Sequence, residues 1–213
     1  MRRDAVLWSL VAIGVAGLVG LAFAHEHDPV ETIDFETARW VARELPGAVE
    51  WTARPFSWLG GWIGLTALGV VTAGLLARER AWLDVAFFAT AFLGSQLAVL
   101  LLKELIGRLR PEFGSAVPLP PSFAFPSGHA AAGAASLGAL AVLLSERLPP
   151  GRPRTWLWAT VVAIGIGVGL SRVALNVHFV SDVVAGWCLG LAWLAACLLG
   201  RDAMRGRARP VDA

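Results

Sequence analysis

The chain has 213 residues, of which 56% are hydrophobic and only 16% charged, with a net charge of +2. That size suits one domain, and that balance argues against a disordered chain, a nucleic-acid binder and a soluble enzyme. With a mean hydropathy of +0.64, the composition fits a protein solvated by lipid.

Six apolar stretches are long enough to cross a bilayer, which takes about 20 helical residues. They lie near 5–24, 57–77, 82–102, 129–145, 155–172 and 179–199. The expected fold is therefore an all-α integral membrane bundle of six transmembrane helices, with residues 1–213 forming a single domain. Arg2 and Arg3, an apolar run and Ala22-Phe23-Ala24 also read as a signal peptide. The run exceeds the roughly 7–15 residues of a signal core, so an uncleaved first helix is expected.

Residues 25–56 form the first outer segment. Phe35, Ala38, Ala42, Leu45 and Val49 recur at three- and four-residue steps, which predicts a short amphipathic helix on the membrane surface. Asp34 would cap its start and Pro46-Gly47 would end it. Trp40, Trp51 and Trp58 suit the headgroup layer. His25-Glu26-His27-Asp28 invites a metal reading, but such a loop is more often simply solvated, and no metal is expected there.

The fourth and fifth spans are rich in small residues. Gly133, Gly138, Gly165, Gly167 and Gly169 are candidates for close helix contact. Cys188 and Cys197 lie nine positions apart in one apolar segment. On a helix that is about 13 Å, too far for a disulfide.

Loop charges set the orientation. With the N-terminus inside, the inner segments hold 11 of the 18 basic residues and the outer segments 7. Basic residues favour the cytoplasmic side, so both termini are expected there.

Helix parity then brings polar residues together. Lys103 ends the third span and is followed by Arg110-Pro111; Pro126-Ser127-Gly128-His129 opens the fourth. Ser171-Arg172 ends the fifth, and His178 and Asp182 open the sixth. If the spans alternate in direction, all of these reach one surface, the outer one by loop charge.

Three clustered cations are costly unless an anion joins them, and phosphate matches the fork of an arginine. Lys103, Arg110 and Arg172 are thus candidate phosphate ligands. Ser127 and Gly128 precede a helix whose N-terminal amides complete the cradle. Asp182, four residues after His178, would fix one imidazole nitrogen and leave the other free to attack phosphorus. His178 is then the nucleophile and Asp182 its orienter. His129 suits the acid that protonates the departing oxygen and the base that later activates water. Glu104 and Arg108 are four apart and pair with each other in this reading, so both stay outside the site; Asn176 is a candidate supporting donor, and Asp84 receives no role.

These motifs resemble those of the type 2 phosphatidic acid phosphatase superfamily. Lys103 through Arg110-Pro111 is similar to its first signature, Pro126-Ser127-Gly128-His129 to its second, and Ser171-Arg172 through His178 and Asp182 to its third. The resemblance implies a phosphohistidine mechanism with no metal ion or cofactor, and a lipid phosphate or diphosphate substrate. The expected enzyme is a bacterial-type lipid phosphatase of the outer leaflet whose partners are membrane lipids, not nucleic acid. Undecaprenyl diphosphate is the first expected substrate, with phosphatidylglycerophosphate or phosphatidic acid as the alternative. A headgroup transporter or flippase without hydrolysis is the alternative of another class.

Overall fold

The computed structural model describes residues 2–45 and 47–207. Within them the chain forms α1 (Arg2–Ala24), α2 (Val30–Glu44), α3 (Gly47–Leu59), α4 (Trp62–Arg78), α5 (Trp82–Ile106), α6 (Gly128–Arg147), α7 (Arg152–Ala174) and α8 (Val180–Arg207). Helices α1, α5, α6, α7 and α8 are each long and apolar enough to span a membrane, and α3 with α4 forms a sixth unit bent by 40°. The expected second span is thus interrupted. Gly60 and Gly61 break it, and regular helix resumes at Trp62. Leu93, Leu97, Leu100 and Leu101 on α5 are all exposed. Such a continuous apolar face suits lipid contact rather than water.

Helix α8 is the centre of the bundle, packed against α1, α6, α5 and α7. Two glycines let it approach α6. A Cβ on Gly186 would lie 2.6 Å from the Ser127 carbonyl oxygen and 2.8 Å from the Ala130 Cβ. A Cβ on Gly190 would press into Ala131 and Ala134. Small residues at this seam set the distance between the start of α8 and the start of α6. On α1, Gly14 and Gly17 face Cys188 in the same manner.

Four of the five glycines singled out from sequence meet a neighbouring helix: Gly133 meets Val168, Gly138 meets Leu194, Gly167 meets Phe56, and Gly169 meets Trp187 and Val183. Gly165 is the exception. A Cβ there would meet nothing within 4 Å, although its carbonyl accepts a bond from Trp187 Nε1 at 3.3 Å. Cys188 and Cys197 are both free thiols.

Residues 25–56 depart from their expected form. The segment holds two helices, α2 and α3, in place of one, and Gly47 opens the second rather than closing the first; Pro46 lies outside the described residues. Asp34 is not a cap: Pro29 holds the N-cap position, and Asp34 is buried inside α2 with Ala38 and Val41. The face that α2 turns into the protein buries a carboxylate, Asp34, more deeply than Ala38 or Val41. Trp40, Trp51 and Trp58 are exposed, as headgroup residues would be. His25 stacks on Phe125 with ring centroids 5.5 Å apart, and its Nδ1 lies 2.9 Å from the Ala22 carbonyl oxygen.

At the opposite end, Arg201 is buried and bonded to Asp84 at 2.6 Å and to Glu146 at 2.8 Å. Its guanidinium lies 4.9 Å from the Phe87 ring centroid. Asp84 therefore clamps α5 to α8, far from the sequence motifs.

Candidate active site

The site is built at one end of the bundle, where α5 ends, α6 begins, α7 ends and α8 begins. Gly107 caps α5 in the left-handed conformation, with φ of 67°, a backbone state that glycine adopts at little cost. The chain leaves the helix there, so Arg108 and Arg110 fold back across the bundle end. The loop that follows is held by main-chain bonds, including the Ala124 amide to the Arg108 carbonyl at 2.7 Å.

His178 lies in the turn before α8, not on the helix itself. Asp182 reaches back from the first turn of α8, and its Oδ2 accepts the Phe179 amide at 2.9 Å. The same oxygen is 3.3 Å from His178 Nδ1. The pairing expected from four-residue helical spacing is therefore present, but made by a helix start. Arg110 Nη1 donates to the Val177 carbonyl at 2.6 Å and lies 3.1 Å from His178 Nε2. This network assigns the proton to Nδ1 and the lone pair to Nε2.

Burial, opposed by the adjacent Asp182 carboxylate, holds the His178 pKa down at about 4. The imidazole is thus neutral across the physiological range, as a nucleophile requires. Burial likewise lowers the pKa of Arg110, against the pull of Asp182.

Lys103 is buried, and its Nζ donates to the carbonyls of Phe123 and Ala124. Arg172 is buried and bonds Ser57 on α3. Ser127 is held by its amide, which donates to the Asp182 carbonyl at 2.9 Å. Among the described residues, Ser127 Oγ and Arg172 Nε are buried without a hydrogen-bond partner. Buried polar atoms usually find one, so these two donors suit a ligand oxygen. Gly128 opens α6, where a Cβ would meet Val99 at 3.3 Å. His129 faces the α3–α4 break: its Nε2 is 3.4 Å from where a Cβ on Gly61 would lie. It is also within electrostatic reach of Arg172, His178, Arg110 and Lys103.

All eight residues named from sequence thus converge. Asn176 is a structural tie instead: its side chain donates to the carbonyls of Gly114 at 2.8 Å and Ala38 at 3.2 Å. The sequence reading missed Arg108. It does not pair with Glu104, which is exposed; it bonds Asp182 at 2.7 Å and Asp34 at 2.8 Å. Recognising Gly107 as a helix stop would have removed the four-residue argument for that pair. A cavity of about 520 Å³, lined in part by Arg108, Arg110, Phe35, Phe113 and Phe179, opens beside the cluster.

Two histidines, one oriented by a carboxylate, amid three fixed cations can bind a phosphate group and transfer it. Comparison with known proteins agrees. A model of the PAP2 superfamily matches residues 84–204. The chain is 35% identical over 128 residues to phosphatidylglycerophosphatase B of Bacillus subtilis, a match covering 60% of this chain and 62% of that relative. It is 36% identical over 154 residues to decaprenylphosphoryl-5-phosphoribose phosphatase of Mycobacterium tuberculosis, covering 69% of this chain and 77% of the other. The crystal structure of a transmembrane PAP2-type phosphatidylglycerolphosphate phosphatase from Bacillus subtilis superposes with a TM-score of 0.81 at 26% identity, over 99% of this chain and 100% of that one. With its motifs gathered at one end of a membrane bundle and more than half its length matched, the chain belongs to the PAP2 superfamily of membrane lipid phosphatases.

Proposed function

We propose that this protein hydrolyses a lipid phosphate monoester, phosphatidylglycerophosphate first, through a phosphohistidine and without a metal ion. The observation that carries the reading is the division of the His178 ring. Nδ1 lies against Asp182 and Nε2 against Arg110, so the unprotonated nitrogen faces the arginine that would hold phosphate. Undecaprenyl diphosphate, the first expectation from sequence, gives way because a relative matched over 60% of this chain and a solved structure covering 99% of it are both named for phosphatidylglycerophosphate.

In the first step His178 Nε2 forms a bond to phosphorus as the bond to the lipid oxygen breaks. His129 supplies the proton that oxygen needs. In the second step His129 takes a proton from water, water attacks phosphorus, and inorganic phosphate leaves with His178 restored. Lys103, Arg110, Arg172 and the Ser127-Gly128 helix start hold the phosphate oxygens, whose charge builds in the transition state. The excess of inner arginines supports cytoplasmic termini and a site at the outer leaflet.

The test is phosphate release by purified protein in detergent with EDTA. The panel is phosphatidylglycerophosphate, phosphatidic acid, undecaprenyl diphosphate and a soluble sugar phosphate. The expected result is the highest kcat/KM on phosphatidylglycerophosphate, unchanged by EDTA. A loss restored only by a divalent metal would overturn the metal-free step. Saturable binding of the panel without phosphate release would overturn the enzyme reading in favour of a headgroup transporter.

The acid side of the pH profile carries a second expectation. The His178 pKa is lowered, so the neutral form persists as pH falls below 6.5, and kcat/KM should decline only as pH approaches about 4. A measured midpoint near 6.5 would show that the titrating nucleophile is not this buried histidine.

A further inference from the structure

We infer that Asp34 and Arg108 are positioning residues that hold Asp182, and through it His178, in the geometry of attack. The inference rests on the phosphatase reading above.

The contacts form a continuous line of charge. Asp34, from α2, accepts the Ser181 amide at 3.0 Å and the Ser181 hydroxyl. Arg108 Nη2 donates to Asp34 Oδ2 at 2.8 Å, and Nη1 donates to Asp182 Oδ1 and Ser181 Oγ, both at 2.7 Å. Asp182 then uses its other oxygen for Phe179 and His178. The Arg108 guanidinium also lies 4.3 Å from the Phe179 ring centroid. Asp34 and Asp182 are 1% and 0% exposed, so neither carboxylate has water as an alternative partner.

A buried ion network is weak evidence for stability, because apolar residues of similar volume often fold as well. What distinguishes this one is where it ends. With both oxygens engaged, the Asp182 carboxylate cannot turn, and the Nδ1 proton it accepts keeps one direction. Arg108 also balances the Asp182 charge. Without that cation, Asp182 would favour the imidazolium form of His178, which has no lone pair to attack phosphorus. The other groups that act on His178 are Arg110 from the loop, Arg172 from α7 and His129 from α6, and none of them is altered by these substitutions. Asp34 lies outside the residues matched by the family model, so the surface helix α2 contributes directly to the order of the site.

The experiment compares wild type, Arg108→Gln, Arg108→Lys, Asp34→Asn and the double variant Asp34→Asn/Arg108→Gln on the best lipid phosphate of the panel. Arg108→Gln is expected to lower kcat by roughly 10–100-fold, as loss of an orienting partner does. KM should stay within about threefold, because the phosphate ligands are untouched. The acid midpoint should move up, since the Asp182 carboxylate loses the cation that balances it and draws a proton to His178 more strongly, with Arg110 and Arg172 still opposing. Arg108→Lys keeps the charge but not the fork, and should recover part of kcat. Arg108→Gln leaves the buried Asp34 carboxylate with Ser181 but without a counter-charge, a cost to folding that is separate from any effect on catalysis. The double variant removes both charges, and is expected to fold while kcat stays low. Wild-type kcat in a folded Arg108→Gln or double variant would overturn the inference while leaving the phosphatase reading intact. Absence of turnover in wild type across the panel would instead overturn that reading, and this inference with it.

Discussion

The His178→Ala protein is expected to fold, to bind phosphate and to release none of it from lipid. Removing the imidazole takes away the atom that forms the bond to phosphorus. It leaves Asp182 still bonded to Arg108 and to the Phe179 amide, so no buried carboxylate loses its last partner. Lys103, Arg110, Arg172, Ser127 and Gly128 also remain to bind an anion. Loss of a nucleophile in a two-step mechanism costs on the order of 10⁴-fold or more in kcat. The measurement is steady-state phosphate release together with alkaline quenching of enzyme mixed with radiolabelled substrate. Wild type should carry acid-labile label on a histidine, and the variant should carry none. Near wild-type turnover in the variant would place the nucleophile elsewhere.

His129→Asn is expected to lose roughly 10²–10⁴ in kcat on a lipid substrate, the usual contribution of one positioned proton donor. The loss should depend on the leaving group. A lipid alkoxide departs poorly without a proton, whereas a nitrophenolate departs without one. With nitrophenyl phosphate the variant should therefore still form the phosphohistidine. It should then stall, because water attack lacks its base, and label should accumulate on His178. Equal losses on both substrates, with no accumulation, would remove His129 from both proton transfers. The placement that motivates the test is the ring of His129 at the mouth between α6 and the α3–α4 break, with Gly61 against its Nε2.

Arg108 shows where local reading of such a chain ends. Glu104 and Arg108 have the spacing of a helical ion pair, and the rule fails because Gly107 stops the helix between them. Asp34 shows the same limit from the other side. It stands where a cap would stand in an amphipathic pattern, yet α2 begins earlier and turns that carboxylate into the protein.

Sequence by itself determined the class of fold and the convergence of the motif residues. Apolar runs of bilayer length dictate helices, and alternation of those helices forces Lys103, Arg110, Ser127, His129, Arg172, His178 and Asp182 to one end, whatever the packing. Only the tertiary structure decided which charges share a partner there. The bonds from Arg108 to Asp34 and Asp182 each span 74 residues, and that from Arg172 to Ser57 spans 115. The close approach of α8 to α6 at Gly186 and Gly190, which brings Ser127 against Asp182, is of the same kind. Such pairings depend on how closely helices approach and at what height they cross, and these are set by side-chain volumes on several elements at once rather than by any local period.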